Sequence, residues 1–349
     1  MPYELTSLNA LRTAPFDTII DVRAPSEFAE DHIPGAINLP VLDDAERARV
    51  GTIYKQESPF KARKIGAALV SRNAARHLDG PLAEKEGGWQ PLVYCWRGGQ
   101  RSGSFASILA QIGWRTKTLA GGYKSYRQKV VSSLYETAPP SPVILLDGNT
   151  GTGKSELLEL LKTRGIQTID LEALANHRGS ALGGQGDQPS QKMFESKLAA
   201  IVSDLDPSRA VVVEAESSKI GRLNLPGAFF NAMRDAPRIS IAAPVEARIS
   251  FLIDAYSDVL SEPATLMDRL DLLVPLRGRA QVDDWKKCVA TGDFAKVARG
   301  LIELHYDPRY EKSRKANTAK TKRQFTTERL DETGLEKLAD QVAEAVNEF

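Results

Sequence analysis

The sequence predicts two α/β domains in tandem, each a parallel sheet covered by helices. Three observations carry this. Short apolar runs alternate with helical stretches, the pattern of strands joined by crossover helices. A glycine-rich phosphate-binding loop stands mid-chain between such a run and a helix. The segment TAPPSP interrupts the alternation; proline lacks an amide donor and restricts its predecessor, so these residues resist both helix and central strand. The expected division is 1–136, a linker at 137–142, and 143–349.

In the first part, FDTIIDVR and PLVYC read as buried strands, the second leaving Cys95 at a strand's C-terminal end. RSGSFASILAQIGW reads as the helix that follows, and TKTLAGGY as a strand and turn. Residues 43–88 form a mostly helical insert, with KARKIGAALVSRNAARHL its clearest helix. In the second part, PVILLDG is the strand entering the glycine loop, and SELLELLKTRG continues as a helix with Gly165 as its cap. IQTIDLE and RAVVVEAE are further strands. PSQKMFESKLAAIVSDL, PVEARISFLIDAY, PATLMDRLDLL and DDWKKCVATGDFAKVARGLIELHY read as helical. In GLEKLADQVAEAVNEF, Leu335, Leu338, Val342 and Val346 recur at helical spacing as a core-facing stripe.

A chain of 349 residues is long enough for two ordinary cores. No apolar run approaches the roughly 20 residues of a membrane span, and the opening MPYELTSLNALRTAPFD lacks a basic region followed by an apolar stretch. Two cysteines and four histidines make neither a disulfide framework nor a metal cluster. The expected setting is the cytoplasm, away from membranes. The net charge of +1 hides local asymmetry. Residues 87–135 contain no acid but carry Arg97, Arg101, Arg115, Lys117, Lys124, Arg127 and Lys129. Such unopposed charge raises the local concentration of anions, which points to an anionic ligand. A second basic run, RYEKSRKANTAKTKRQ, spans 309–324 and reads either as a solvated face or as phosphate contacts.

The first candidate site is YCWRGGQRS. A cysteine after a strand and before a helix faces converging amide donors and the positive end of the helix dipole. Arg97 and Arg101 add full charge, and together these lower a thiol pKa from about 8.5 toward neutrality. Cys288 sits on a helical stretch without that context, and burial is expected for it. The second site is GNTGTGKS, which fits G-x-x-x-x-G-K-[ST] fully between a strand and a helix. The backbone amides of Gly148, Asn149, Thr150, Gly151, Thr152 and Gly153 are expected to curl around phosphate oxygens, Lys154 to supply charge and Ser155 to ligate Mg²⁺. The strand VVVE ends in Glu214, with Glu216 two residues on, like the acidic end of a Walker B strand but with Glu for the commoner Asp. A phosphate loop also holds a diphosphate without cleaving a nucleotide, so nucleotide binding stays open. Asp170, His177 and Arg178, in LEALANHRGSALGGQGDQPS, are either a surface loop or substrate contacts beside the phosphate loop.

DVRAPSEFAEDHIPGAINLP, residues 21–40, resembles the N-terminal signature of rhodanese-type sulfurtransferases through Asp21, Arg23, Glu27, His32, Gly35, Ala36 and Asn38, and LAGGY resembles that family's turn after the active loop. The resemblance implies that Cys95 carries sulfur or selenium. Arg101 lies six positions after Cys95, one more than in many single-domain rhodaneses. Related cysteine phosphatases share the longer loop, so its length leaves dephosphorylation open.

The two domains in this order, with CWRGGQRS, GTIYKQESPFKARKIGAALV, GNTGTGKSELL, ANHRGSALG, VEAESSKIG and YDPRY, resemble the bacterial tRNA 2-selenouridine synthase family over nearly the whole chain. The implied fold is α/β: a rhodanese-like parallel sheet with helices on both faces, then a P-loop NTPase-like domain with extra helices. The implied activity replaces sulfur by selenium at C2 of a wobble-position 2-thiouridine in tRNA, with selenophosphate as donor and an S-geranylated intermediate made from geranyl diphosphate. With that activity, chemistry leads us to expect the departing diphosphate at Lys154 and Mg²⁺, selenium delivered from Cys95, and the selenophosphate anion at Arg97 and Arg101. Partners are tRNA and a selenophosphate synthetase. Candidate tRNA contacts are Trp96, Lys124, Arg127, Lys129, Arg309, Arg314, Lys315, Lys322 and Arg323. Two other classes stay open on the residues alone: an ATP-using tRNA sulfurtransferase or kinase, and a non-catalytic RNA or nucleotide sensor.

Overall fold

The computed structural model describes residues 1–178, 186–315 and 321–349, with 312–315 by backbone alone. It divides into two compact units, residues 1–137 with 189–204, and residues 138–188 with 205–349. The helix Gln191–Ser203 thus groups with the first unit, although the sequence reading assigned all of 143–349 to the second. Among the described residues no helix is long and apolar enough to cross a membrane.

The first unit holds four strands, β1 (Thr18–Asp21), β2 (Ile37–Asn38), β3 (Pro91–Tyr94) and β4 (Lys117–Thr118), in the order β2-β1-β3-β4. All pair in parallel, with Ile20 opposite both Ile37 and Val93. β3 is buried along its whole length, as a continuous apolar run inside a covered parallel sheet should be. Ile20, Val22, Val93, Phe105, Leu109 and Trp114 belong to its core. The insert forms two helices, Asp44–Gln56 and Pro59–Asp79, started by Asp43 and Ser58, whose side chains accept from the amides of Glu46 and Lys61. Leu69, Val70 and Ala74 turn the second helix into the core, and buried Asn73 donates to the Val41 carbonyl.

A buried ion pair anchors this unit. Arg23 and Asp21 are both fully enclosed, and the guanidinium donates to Asp21 at 2.6–3.1 Å and to the Asp31 carbonyl at 2.6 Å. Its carbon lies 4.0 Å from the centre of the Tyr123 ring. Tyr123 donates to the Asp31 carboxylate at 2.7 Å, and Ser196 donates to the same oxygen at 3.0 Å. Glu195, one residue earlier, accepts from Arg127 and Tyr135. Ser196 and Glu195 explain why the helix Gln191–Ser203 groups with this unit: its polar residues satisfy buried groups there, while Phe194, Leu198 and Ala199 are fully buried.

The second unit is a five-stranded parallel sheet, β5 (Val143–Gly148), β6 (Gln167–Ile169), β7 (Val211–Glu214), β10 (Arg238–Ala242) and β11 (Thr321–Thr326), in the order β11-β10-β5-β7-β6. A short hairpin, β8 (Lys219–Ile220) and β9 (Leu223–Asn224), follows β7. Central β5 is buried throughout. The helices Lys154–Thr163 and Glu332–Asn347 bring Leu157, Leu158 and Leu161 into one cluster with Leu338, Val342 and Val346. The helix after the phosphate loop stops at Gly165, which takes φ +77° while the Ile166 amide reaches back to the Leu161 carbonyl. A second cluster, around Leu266, Leu270, Val282, Trp285 and Val297, packs the extra helices, with Cys288 half-buried at its edge.

Two features depart from the sequence reading. DDWKKCVATGDFAKVARGLIELHY breaks into Arg279–Ala290 and Phe294–Leu301 at Gly292, where φ is +74° and Asp293 caps the second helix. The end of the basic run is not a simple charged face: TKRQFT is the edge strand β11, and charged side chains on an edge discourage unwanted pairing.

Replacing one partner of a buried ion pair leaves the other charge stranded. Arg23→Met is expected to destabilise the first unit by about 3–5 kcal/mol, and Arg23→Met with Asp21→Asn by less. Urea unfolding followed by far-UV circular dichroism measures both. Equal losses in the single and double variants would contradict the account.

Candidate functional site

Cys95 is buried at the end of β3, and its loop runs into the helix Gln100–Ile112. Its Sγ lies 3.1 Å from the Ser102 hydroxyl, whose single proton can go to the Gly99 carbonyl while Cys95 is a thiol, or to Sγ once it is a thiolate. Burial pushes the thiol pKa up, but the Ser102 hydroxyl and amide, the Arg101 charge and the Arg97 amide outweigh it, so the thiol titrates below its ordinary value. The turn GGY closes over the loop: the amides of Tyr123 and Lys124 donate to the carbonyls of Cys95 and Trp96 at 2.8 and 3.0 Å. That approach requires glycine. Gly122 has φ +58°, and a Cβ on it would meet the Cys95 carbonyl at 2.3 Å and the Gly98 amide at 2.5 Å.

The two loop arginines differ. Arg101 donates to Glu27 at 2.9 Å, and Arg47 approaches the same carboxylate oxygen at 2.8 Å. Burial would raise the Glu27 pKa, but Arg101 and Arg47 hold it below the usual carboxylate range. Arg101 is therefore locked in place by a residue 74 positions away in sequence. Arg97 is exposed. Trp96 is partly exposed, its ring 5.1 Å from that of Tyr123.

At the phosphate loop, Gly151 and Gly153 take φ +82° and +72°, which turns successive amides inward. Gly148 has no room for a Cβ, which would meet the Thr152 hydroxyl at 2.5 Å. Lys154 is half-buried and its ammonium donates to the Gly148 carbonyl at 3.0 Å. Burial lowers its pKa, but Tyr310, Glu172, Glu216 and Glu214 more than reverse that, so it stays charged. The acids respond in the opposite sense. Burial, then the charge of neighbouring carboxylates, raises Glu172 and Glu214 above the normal carboxylate range. Glu216 is raised too, by burial. Glu214 accepts from the Glu172 amide, and its other oxygen is enclosed without a partner.

Asp170, Glu172, His177, Arg178 and Glu216 all line one pocket of about 840 Å³ together with residues 150–156 of the phosphate loop. Asp170 also caps the helix Leu171–Ala175. Arg178 pairs with Asp258 and lies 4.5 Å from the Tyr256 ring centre. Arg309 lines the same pocket. Lys124, Lys129 and Lys322 are exposed, whereas Arg127 is tied to Glu195 and Arg323 to Glu348. The side chains of Arg314 and Lys315 lie outside the described residues.

Several working residues escaped the sequence reading. Arg248 is buried, pairs with Asp307 at 2.7 and 2.9 Å, and donates through Nε to the Thr150 carbonyl. Asp307 also accepts from Asn149 at 2.8 Å. This clamp holds the outer edge of the phosphate loop. Its members come from PVEARISF and YDPRY, and only the second carried any signal, as a family-like segment. Ser102 stood within the cysteine motif, and Glu27 within residues 21–40, but neither could be paired with its partner from sequence.

A family model described as the tRNA 2-selenouridine synthase AAA domain matches residues 141–270, and a rhodanese-like domain model matches residues 4–129. The tRNA 2-selenouridine synthase of Nitrosomonas europaea is 36% identical over 262 residues, covering 74% of this chain and 67% of that protein. That of Bdellovibrio bacteriovorus is 39% identical over 252 residues, covering 68% and 64%. That of Shewanella loihica is 36% identical over 323 residues, covering 84% and 86%. The chain spans about two thirds of the first two relatives and most of the third.

Two outcomes follow from this geometry. In a pH series of iodoacetamide alkylation, Ser102→Ala is expected to move the Cys95 titration to higher pH, because it removes a donor to the thiolate; an unmoved midpoint would refute the role of Ser102. Asp307→Ala is expected to weaken pyrophosphate binding about tenfold or more, measured by calorimetry, because Arg248 and Asn149 lose their common acceptor.

Proposed function

Because the chain belongs to the tRNA 2-selenouridine synthase family, we propose that it replaces sulfur by selenium at C2 of wobble-position 2-thiouridine in tRNA. Geranyl diphosphate first alkylates the sulfur, and selenophosphate then supplies selenium. A selenophosphate synthetase is the proposed source of that donor.

One observation carries the two-step reading: the pocket at the phosphate loop has two chemistries. One side offers loop amides and Lys154, and the other offers Phe251, Leu252, Ala255 and Tyr256. A smaller, apolar cavity of about 60 Å³ shares Thr150, Leu252, Tyr256 and Tyr306 with that pocket and is lined further by Val259, Leu260 and Leu266. A diphosphate head with a branched hydrocarbon tail suits this pairing of surfaces.

The chemistry follows from the residues. The thiouridine sulfur attacks C1 of the geranyl group, the carbon–oxygen bond breaks, and diphosphate leaves with the bonding electrons. Lys154 and the loop amides face the charge that grows on the leaving oxygen, where stabilisation lowers the barrier most. The Arg248–Asp307 clamp keeps those amides in position before the substrate arrives. Alkylation makes C2 more electrophilic and lets sulfur depart as a thiol. The selenium of selenophosphate then bonds to C2 as geranylthiol leaves. The Cys95 thiolate, held as a nucleophile by Ser102 and the loop amides, takes the phosphoryl group from that selenium and passes it to water, with exposed Arg97 open to the selenophosphate anion and Arg101 fixed by Glu27.

The Ser155 hydroxyl beside Lys154 fits a hard divalent cation such as Mg²⁺, whereas Glu172 and Glu216, pushed toward the neutral form, are poor ligands for it. Among the described residues no group of three or more His, Cys, Asp and Glu is arranged to hold a metal. The ion would thus be held by Ser155, water and the diphosphate, whose charge it would help neutralise.

Nucleoside mass spectrometry of 2-thiouridine tRNA, incubated with protein, geranyl diphosphate and selenophosphate, tests the reading. Lys154→Ala is expected to abolish geranylation, and Cys95→Ser to leave geranylation intact and abolish selenation. Selenation that survives in Cys95→Ser would remove the cysteine from its assigned role. Unchanged thiouridine with the unaltered protein would overturn the function.

A further inference from the structure

The second helix of the insert has no part in either site, yet its surface is unusual. From Ser58 to Leu78 the helix Pro59–Asp79 contains no carboxylate, while it carries Lys61, Arg63, Lys64, Arg72 and Arg76, all exposed. Lys61, Lys64, Ala68 and Arg72 are spaced three to four residues apart, so they lie in one row along the helix. At about 1.5 Å per residue the row runs roughly 16 Å. The exposed positions between the charges are small: Ala67, Ala68, Ser71 and Ala75. These small side chains leave a polyanion's backbone room to approach the helix.

The turn of this hairpin adds a second, independent observation. Phe60 is 71% exposed and Tyr54 is 56% exposed, and both lie within a few residues of the turn at Glu57 and Ser58. The one carboxylate at the turn, Glu57, pairs with Lys61, and so exposed an i,i+4 pair is weak enough for Lys61 to exchange it for a phosphate. Two aromatic faces therefore stand in water at the tip of a basic hairpin. Aromatic side chains beside a row of cations are how proteins hold unpaired bases and phosphates together.

The hairpin is also joined to the cysteine loop. Arg47, on its first helix, shares the Glu27 carboxylate with Arg101. The base of the hairpin is thus tied to the loop that carries the reactive thiol.

Resting on the tRNA reading above, we propose that this hairpin is an RNA-docking surface. The row Lys61, Lys64 and Arg72 takes phosphates of the stem, and Phe60 and Tyr54 stack on an unpaired base of the loop. Charge complementarity favours a polyanion, and the exposed aromatics favour one that has bases.

The test uses the full-length chain and a labelled anticodon stem-loop RNA containing 2-thiouridine, with affinity measured by fluorescence anisotropy across a salt series. Alanine at exposed helix positions raises helix propensity, so the triple variant Lys61→Ala, Lys64→Ala, Arg72→Ala should fold. It is expected to bind about tenfold or more weakly near physiological salt. The slope of log affinity against log salt should fall by about two to three, near one for each phosphate that is no longer neutralised. Phe60→Ala should weaken binding at every salt concentration with the slope unchanged. Thermal melting and pyrophosphate binding should match the unaltered protein in both variants. A triple variant with the original affinity and slope overturns the proposal while leaving the proposed function standing. Heparin that competes as well as RNA, in Phe60→Ala and the unaltered protein alike, overturns the assignment to RNA. An unaltered chain that binds no RNA at all sinks the functional reading as well.

Discussion

A parallel strand that runs into a helix leaves amide groups without partners at the mouth of that helix, where the helix dipole is positive. Both chemical loops of this chain are built at such a place. β3 delivers Cys95 to the start of the helix Gln100–Ile112, and β5 delivers the phosphate loop to the helix Lys154–Thr163. The remaining features serve to let the backbone turn tightly there and then to keep it still. Glycine does the first: Gly122 lets one turn press against the cysteine loop, and Gly151 and Gly153 let the other loop curl.

Distant carboxylates do the second. Glu27 fixes Arg101 of the cysteine loop, and Asp307 holds Arg248 against the phosphate loop and ties down that loop's own Asn149. The electrostatic solutions are opposite. Around Cys95, hydrogen-bond donors and a cation favour an anion that burial would otherwise suppress. Around Lys154, a ring of acids favours a cation in the same difficult setting, and those acids are themselves pushed toward the neutral form by burial and mutual repulsion. Preorganisation of this kind places charge stabilisation before the substrate binds.

What could be read from the sequence was what is local in it. CWRGGQRS and GNTGTGKS are contiguous, so their strand, turn and helix were legible together, as was the core stripe of Leu335, Leu338, Val342 and Val346. What could not be read depends on sequence-distant pairs. Glu27 and Arg101 are 74 residues apart, Asn149 and Asp307 are 158 apart, and no periodicity links them. β11 was hidden because an edge strand of charged residues has the composition of a solvated segment. Arg127, one of the cations expected to face tRNA, is instead partnered by Glu195, which only the fold brings near.

The helix Gln191–Ser203 has a consequence for how such a chain can be divided or recombined. Its neighbours on both sides belong to the second unit, so the polypeptide passes from one unit to the other three times rather than once. Cutting at the proline-rich segment would strip the first unit of Ser196 and Glu195 and leave Asp31, Arg127 and Tyr135 without those partners. The two halves are therefore not interchangeable beads on a string. A gene fusion that merely joined a ready-made sulfurtransferase to a ready-made phosphate-loop protein would lack this interleaving. Exchanging either half between relatives would have to carry residues 189–204 along with the N-terminal half.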